Sequence, residues 1–236
     1  MVLSLYLFER PHRSIAAGLS LALAINVKLI PIVLVPILVS HLSTMRERLQ
    51  FLAVLAMGCS PIIVASVLIG QPFITNVLLY RPIIVKWGLH FFLWRWEHLA
   101  SLYGRVGGSF IVASVVLLAT LQFFRRVFTV AELATISVCL FLILAPGFGI
   151  QYLIYPAPLL VLVAPRWAAG FNVLAGAMAF SCYWSFLVPS WPLSTIHHRD
   201  LPVMTTRLGA LTWLLLCLFV AKSLMTMRGT IARPNE

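Results

Sequence analysis

A single lysine, Lys28, stands in the stretch "LALAINVKLIPIVLVP", among some of the most apolar residues available. The nearest acidic residues, Glu9 and Glu47, are each nineteen positions away. A lysine near the centre of a membrane helix costs about 2.5–3.5 kcal/mol on insertion scales, so it faces a cavity or a partner unless it snorkels to the interface. The chain holds only six acidic residues. With none of them close in sequence, the cation points to an anionic ligand, a phosphate or a carboxylate. Snorkelling is the competing reading.

Two further stretches carry groups of the same kind. In "LAPGFGIQYLIYPAP", Pro146, Gly147 and Gly149 break a helix, and Pro156 and Pro158 break it again. Gln151, Tyr152 and Tyr155 fall between the breaks, and a glutamine at membrane depth requires a hydrogen-bonding partner. Helical spacing puts Gln151 and Tyr155 on one face, as a binding wall requires; a helix–helix hydrogen bond is the plainer alternative. In "NVLLYRPIIVKWGL", Arg81 and Lys86 offer cations for an anion, inside a Tyr-Arg-Pro…Lys-Trp-Gly segment. For Arg95, Arg105 and the tryptophans around them, an aromatic belt with snorkelling arginines serves as well.

Other chemistries find little support. His197, His198, Arg199 and Asp200 are adjacent, but neighbouring histidines do not share a helix face and no further ligand is spaced for zinc. Asp200 keeps a minor place as a polar contributor to a site. The four cysteines, Cys59, Cys139, Cys182 and Cys217, lie singly in apolar runs and read as small core residues. There is no Ser-His-Asp arrangement, no phosphate loop, and no carboxylate pair able to deprotonate an acceptor hydroxyl. The chain therefore offers binding groups and no catalytic base, and calls for no soluble cofactor and no metal.

These groups must be positioned by membrane helices. Of 236 residues, 61% are hydrophobic, the mean hydropathy is +1.01, and a spanning helix needs about 20 apolar residues. Continuous apolar runs rather than alternating ones exclude a β-barrel. The expected fold is all-α, a polytopic transmembrane bundle in a single domain, with runs at 14–41, 49–70, 107–124, 130–146, 148–164, 167–188 and 208–227. The net charge of +11 is scattered between these runs, where it sets topology and meets lipid head groups rather than nucleic acid.

The first run would be about 42 Å long as a straight helix, more than a bilayer core needs. Pro31 and Pro36 offer places to break it. With "ERPHR" before it and "MRER" after it on one side, the run goes in and comes back as two half-helices meeting near Lys28; a tilted single span is the alternative. Arg125, Arg126, Arg166 and a tail at 228–236 then share that side. Residues 71–106 and 189–207 become outer loops, the first partly amphipathic helix in the interface. No internal repeat is evident. The opening "MVLSLYLF" is too short to span and lacks the marks of a signal peptide; it reads as the last two turns of a helix from a longer protein.

Taken in order, "AGLSLALAINVKLIPIVLVPILV", "NVLLYRPIIVKWGL" and "LAPGFGIQYLIYPAPLL" resemble the C-terminal half of polytopic C-type glycosyltransferases. The likeness spans about residues 13–165. It is greatest to bacterial polyprenyl-phosphate-sugar-dependent mannosyltransferases, and more distant to the catalytic subunit of GPI mannosyltransferase I. The resemblance implies a hexosyltransferase using a lipid-phosphate-linked sugar on the non-cytoplasmic side of a bacterial plasma membrane, with a glycan or lipid acceptor. It implies that Lys28, Tyr80, Trp87, Gly88, Gln151 and Tyr152 line the cavity for the lipid phosphate and sugar; the residue reading adds Arg81 and Lys86 for the phosphate and Tyr155 for sugar or carrier. The family's catalytic acids sit in an outer loop with no counterpart here, so no transfer is expected from these residues alone. A transporter or flippase module and a non-catalytic membrane subunit are the rival readings.

Overall fold

The computed structural model describes residues 1–9, 14–70, 87–93, 95–147, 149–187 and 203–231. Among these residues the secondary structure is helical, with no strand. The helices are α1 (Val2–Phe8), α2 (Ser14–Val27), α3 (Val35–His41), α4 (Met45–Gly58), α5 (Ser60–Ile69), α6 (Gly88–Leu93), α7 (Glu97–Arg125), α8 (Val130–Leu144), α9 (Pro156–Val163), α10 (Pro165–Leu187) and α11 (Val203–Ile231). Two 3₁₀ segments, Ile30–Leu34 and Ile150–Ile154, precede α3 and α9. The chain divides into two compact units, Met1–Arg81 with Val115–Ser137, and Pro82–Ser114 with Val138–Glu236.

Proline dictates where the helices stop. It lacks an N–H, and its ring collides with the carbonyl four residues back. Pro31 acts on Val27, where α2 ends; Pro61 acts on Met57, one residue before α4 ends; Pro146 acts on Leu142, two before the end of α8. The run 14–41 is thus broken beside Lys28, as its prolines predict.

In the first unit the direction of the chain follows from side-chain contacts. Gly18 lies against Phe51, and Ala22 and Leu19 lie against Gly58. The contacts advance together along α2 and α4, so these helices run parallel. Residues 28–44 must therefore run back, and the 3₁₀ segment with α3 forms the returning arm. Asn26 fastens the tip, its Nδ2 donating to the Gly58 carbonyl at 2.7 Å and to the Ala22 carbonyl at 2.9 Å. Lys28 comes level with the bend between α4 and α5, about 20 Å along from the start of α2. Leu21, Leu34, Ile37, Leu38 and Phe51 are fully buried and make the core of this arm.

At the opposite end, two helices begin with reciprocal capping boxes. Thr44 and Glu47 cap α4, and Thr129 and Glu132 cap α8, each threonine hydroxyl receiving the glutamate N–H while the carboxylate receives the threonine N–H. The Arg48 guanidinium donates to the Leu42 carbonyl at 2.7 and 3.1 Å and lies 4.7 Å from the centre of the Phe123 ring. This end carries Arg46, Arg48, Arg125 and Arg126.

In the second unit, α10 and α11 form an antiparallel pair. Ser181 meets Thr205, Met178 meets Gly209, Leu215 meets Gly170, and Trp167 meets Phe219. The Phe141 and Tyr152 rings are 6.3 Å apart edge to face, so the chain also doubles back between α8 and the second 3₁₀ segment.

Two described helices are long and apolar enough to cross a membrane, α7 and residues Thr205–Thr226 of α11. The pair α4 and α5, bent by 42°, makes a third if counted as one span. By length and composition this is a membrane protein. No residue of α5 is buried, and Val67 and Leu68 are 78% and 79% exposed.

The seven apolar runs do not become seven spanning helices. Ser14–Val27, Ile30–His41, Val130–Leu144 and Ile150–Val163 are short apolar pieces because proline cuts each run, and α10 is not among the spanning helices. The expected outer loop 71–106 is also corrected at its end: residues 97–106 belong to α7, continuous with the span. Gly107, which marked the expected boundary, is inside the helix because Pro146 packs on it, where a Cβ would come within 2.9 Å of the proline ring.

Gly58 lets α2 and α4 approach closely; a Cβ there would stand 2.5 Å from the Ala22 Cβ. Gly58→Ala is expected to push the helices apart, lengthen the Asn26 bond, and cost about 1–3 kcal/mol. Unfolding in detergent with rising denaturant measures it; an unchanged midpoint would contradict the packing described.

Candidate functional site

Lys28 stands at the break itself. Its N–H donates to the Ala24 carbonyl at 3.0 Å, closing the last turn of α2, and the residue is half-buried. A cation at a helix C-terminus is favoured by the helix dipole, by about 0.3–1 kcal/mol at exposed positions. Lys28 thus has an electrostatic reason to sit where α2 ends, and the double-back puts that end level with the bend between α4 and α5. Irregular backbone at membrane depth is tolerated only against protein or a water-filled cavity.

The second break, at residues 145–149, is built differently. The carbonyls of Leu142, Ile143 and Leu144 lie where α8 stops; for Leu142 the donor in a continuing helix would be Pro146, which has no N–H. Three aromatic side chains replace the missing donors. Trp87 Nε1 donates to Leu142 at 2.8 Å, Trp213 Nε1 to Ile143 at 3.1 Å, and the Tyr103 hydroxyl to Leu144 at 2.7 Å. They come from the residue before α6, from α11 and from α7. Trp87 and Tyr103 are buried. Phe92 of α6 packs on the Trp213 ring, centroids 5.3 Å apart.

Gly88 permits this arrangement. Its φ is +60°, in the left-handed region, and a Cβ on it would stand 3.0 Å from the Ile143 oxygen and 3.1 Å from Trp213 Nε1. A side chain there would be strained by the backbone and would wedge into the tryptophan bond.

Beyond the clamp, the segment carrying Gln151 is 3₁₀ rather than α. Tyr152 N–H bonds the Gly149 carbonyl at 2.8 Å and Tyr155 N–H bonds the Tyr152 carbonyl at 3.2 Å. With three residues per turn, positions three apart align. Tyr152 and Tyr155 therefore share a face and are buried and half-buried, while Gln151 shares the outer face with Ile154, which is 70% exposed. The expected pairing of Gln151 with Tyr155 on one face is corrected on this ground. The Gln151 amide folds over Gly149, where a Cβ would meet it at 2.7–2.9 Å.

The sequence-predicted residues are thus distributed as follows. Lys28 belongs to the first unit, and Trp87, Gln151, Tyr152 and Tyr155 to the second. The Trp87 ring N–H is given to the Leu142 carbonyl of α8. Tyr80, Arg81, Lys86 and the cluster His197–Asp200 lie outside the described residues. Among the described residues no group of histidine, cysteine, aspartate or glutamate could hold a metal ion. Cys139 and Cys182 are buried, and Cys59 and Cys217 half-buried.

Sequence reasoning missed Asn26, Tyr103 and Trp213. The signal was present: each break frees identifiable carbonyls, and a polar or aromatic donor in an apolar run is a candidate to receive one. No protein-family model, no curated protein and no solved structure matches the chain.

Gly88→Ala is expected to cost about 1–2 kcal/mol for the left-handed backbone, and about 1 kcal/mol more for the weakened Trp213 bond. Trp213→Phe keeps the packing and should lose the second part alone. Thermal unfolding with tryptophan fluorescence compares the two; equal losses would contradict the wedge.

Proposed function

We propose that the chain is the carrier-binding part of a membrane glycosyltransferase of the C type, a hexosyl- or mannosyltransferase that draws on a polyprenyl-phosphate-linked sugar. The observation that carries this reading is Lys28 at a helix break, level with the midpoint of α4 and α5. A cation there suits the phosphate of a lipid carrier lying between helices, because the carrier reaches it from the hydrocarbon without crossing water. Arg81 and Lys86 are assigned to the same phosphate. Gln151, Tyr152 and Tyr155 are assigned to the sugar or carrier, the two tyrosines on one face and the exposed amide beside them. The multi-pass topology and a bacterial plasma membrane belong to this proposal, with acceptor chemistry on the non-cytoplasmic side.

The chemistry divides accordingly. Departure of the phosphate builds negative charge in the transition state, which preorganised cations stabilise. Deprotonating the acceptor hydroxyl needs a base, and the sequence has no carboxylate pair for it. These residues are read as holding the donor, with the base supplied by a segment outside them.

A transporter or flippase is favoured by a different observation. Each break is followed by a five-residue 3₁₀ segment and then a short α-helix opened by proline. Paired discontinuous helices at membrane depth are how many transporters build a substrate site.

Binding of a short-chain polyprenyl phosphate and of the matching uncharged polyprenol to the chain in nanodiscs tests the proposal. Wild type should prefer the phosphate. Lys28→Gln should lose roughly tenfold or more of that preference, the scale of one charge-assisted hydrogen bond, while leaving polyprenol binding unchanged. Gly149→Ala, which displaces the Gln151 amide, should weaken binding of the sugar-bearing carrier only. Equal binding of phosphate and alcohol by wild type would overturn the reading, and passage of the carrier across a sealed bilayer would favour the transporter.

A further inference from the structure

His41 ends α3, and its hydrogen bonds define one protonation state. Nδ1 lies 2.9 Å from the Ile37 carbonyl oxygen, which can only accept, so Nδ1 carries the ring proton. Nε2 lies 3.0 Å from the side-chain nitrogen of Gln122 on α7. The orientation of that amide is fixed from the other side: its oxygen accepts from Phe128 N–H at 3.0 Å, and its nitrogen donates to the Phe128 carbonyl at 2.8 Å. The second hydrogen of the nitrogen is left for His41, and the neutral ring accepts it. Gln122 is 3% exposed. In this arrangement the Gln122 amide is fully used, while Nε2 also has the Phe128 carbonyl at 3.3 Å and Nδ1 the Ser40 hydroxyl at 3.5 Å.

We propose that His41 and Gln122 form a proton-operated latch between the returning arm of the broken helix and the turn joining α7 to α8, closed while the imidazole is neutral and released when it is protonated. A protonated ring cannot accept at Nε2. Two donors then face each other, and the acceptor left in reach of the ring is the Phe128 carbonyl, 3.3 Å from Nε2 and shared with Gln122. The buried Gln122 amide hydrogen loses its partner, and the arm exchanges its tie to Gln122 for this longer one. The latch does not depend on the carrier-binding reading, since it holds the end of the arm away from Lys28.

The charged groups on the packed elements are Arg46, Glu47 and Arg48 on α4, and Arg125, Arg126 and Glu132 around the α7–α8 turn. Arg48 is engaged with the Leu42 carbonyl and the Phe123 ring. Glu47 and Glu132 are held in their capping boxes.

Hydrogen exchange at the Phe128 amide, measured in nanodiscs and corrected for the intrinsic effect of pH, tests the latch. Between about pH 8 and about pH 5.5, wild type should exchange roughly five- to tenfold faster at the acid end, the loss of one hydrogen bond. His41→Gln keeps an acceptor that does not titrate and should show no such change. Gln122→Glu should reverse the sign, because a carboxylate accepts from the protonated ring and acid then slows exchange. If His41→Gln does not fold, the Gln122→Glu arm decides alone. A wild-type response that persists in His41→Gln, or that keeps its direction in Gln122→Glu, would overturn the proposal.

Discussion

A backbone carbonyl freed by proline in an apolar environment must find another donor, and the rest of this structure is arranged around that requirement. Water is absent from the hydrocarbon, and an unsatisfied group there costs several kcal/mol. Pro61 bends α4 against α5 and turns the Ile62 N–H to the Cys59 carbonyl. The Gly58 carbonyl is left to Asn26. Pro146 stops α8, and Trp87, Trp213 and Tyr103 take the three carbonyls left behind. In both places the donor belongs to a different element, so satisfying the backbone also fixes the tertiary arrangement. The two close approaches that make this possible, at Gly58 and Gly88, are glycines for that reason.

The consequence for function is that helices end within the apolar runs, with Lys28 half-buried at one break and Gln151 exposed beyond the other. A helix end brings a dipole, unused polar groups and a change of direction to a depth where a through-going helix would present only side chains. Lys28 and the Gln151 segment each occupy such a place, in separate units. The local design repeats: an apolar helix of 14 or 15 residues, a break, a five-residue 3₁₀ segment, and a short α-helix opened by proline. The two 3₁₀ segments share little beyond their first isoleucine and the proline that follows each, so the repetition resides in the backbone and escapes a comparison of residues.

Much of this was legible before any coordinates. Pro31 and Pro36 announced the break beside Lys28, and the charges flanking the run argued for its return. The all-helical class followed from the unbroken apolar runs. Other features were hidden for physical reasons. Gly107 looked like a boundary because glycine in a helix is ordinarily a weakness, but a proline ring from another element occupies the space its missing Cβ leaves. The face shared by Tyr152 and Tyr155 depends on three residues per turn, and a helical period of 3.6 pairs Gln151 with Tyr155 instead. Trp87 read as a site residue because its Tyr…Trp-Gly segment resembles a loop of C-type glycosyltransferases. Its role as a cap depends on a carbonyl 55 positions away, which no local pattern reveals.

The central claim is that residues 14–41 enter and return, placing Lys28 at depth. Single cysteines at Ser14 and Ser43, in a chain whose own four cysteines are replaced by serine or alanine, test it most directly in sealed vesicles of one orientation. A membrane-impermeant maleimide added to one side should label both positions or neither. Labelling of one position from each side would mean a single tilted span and would contradict the account.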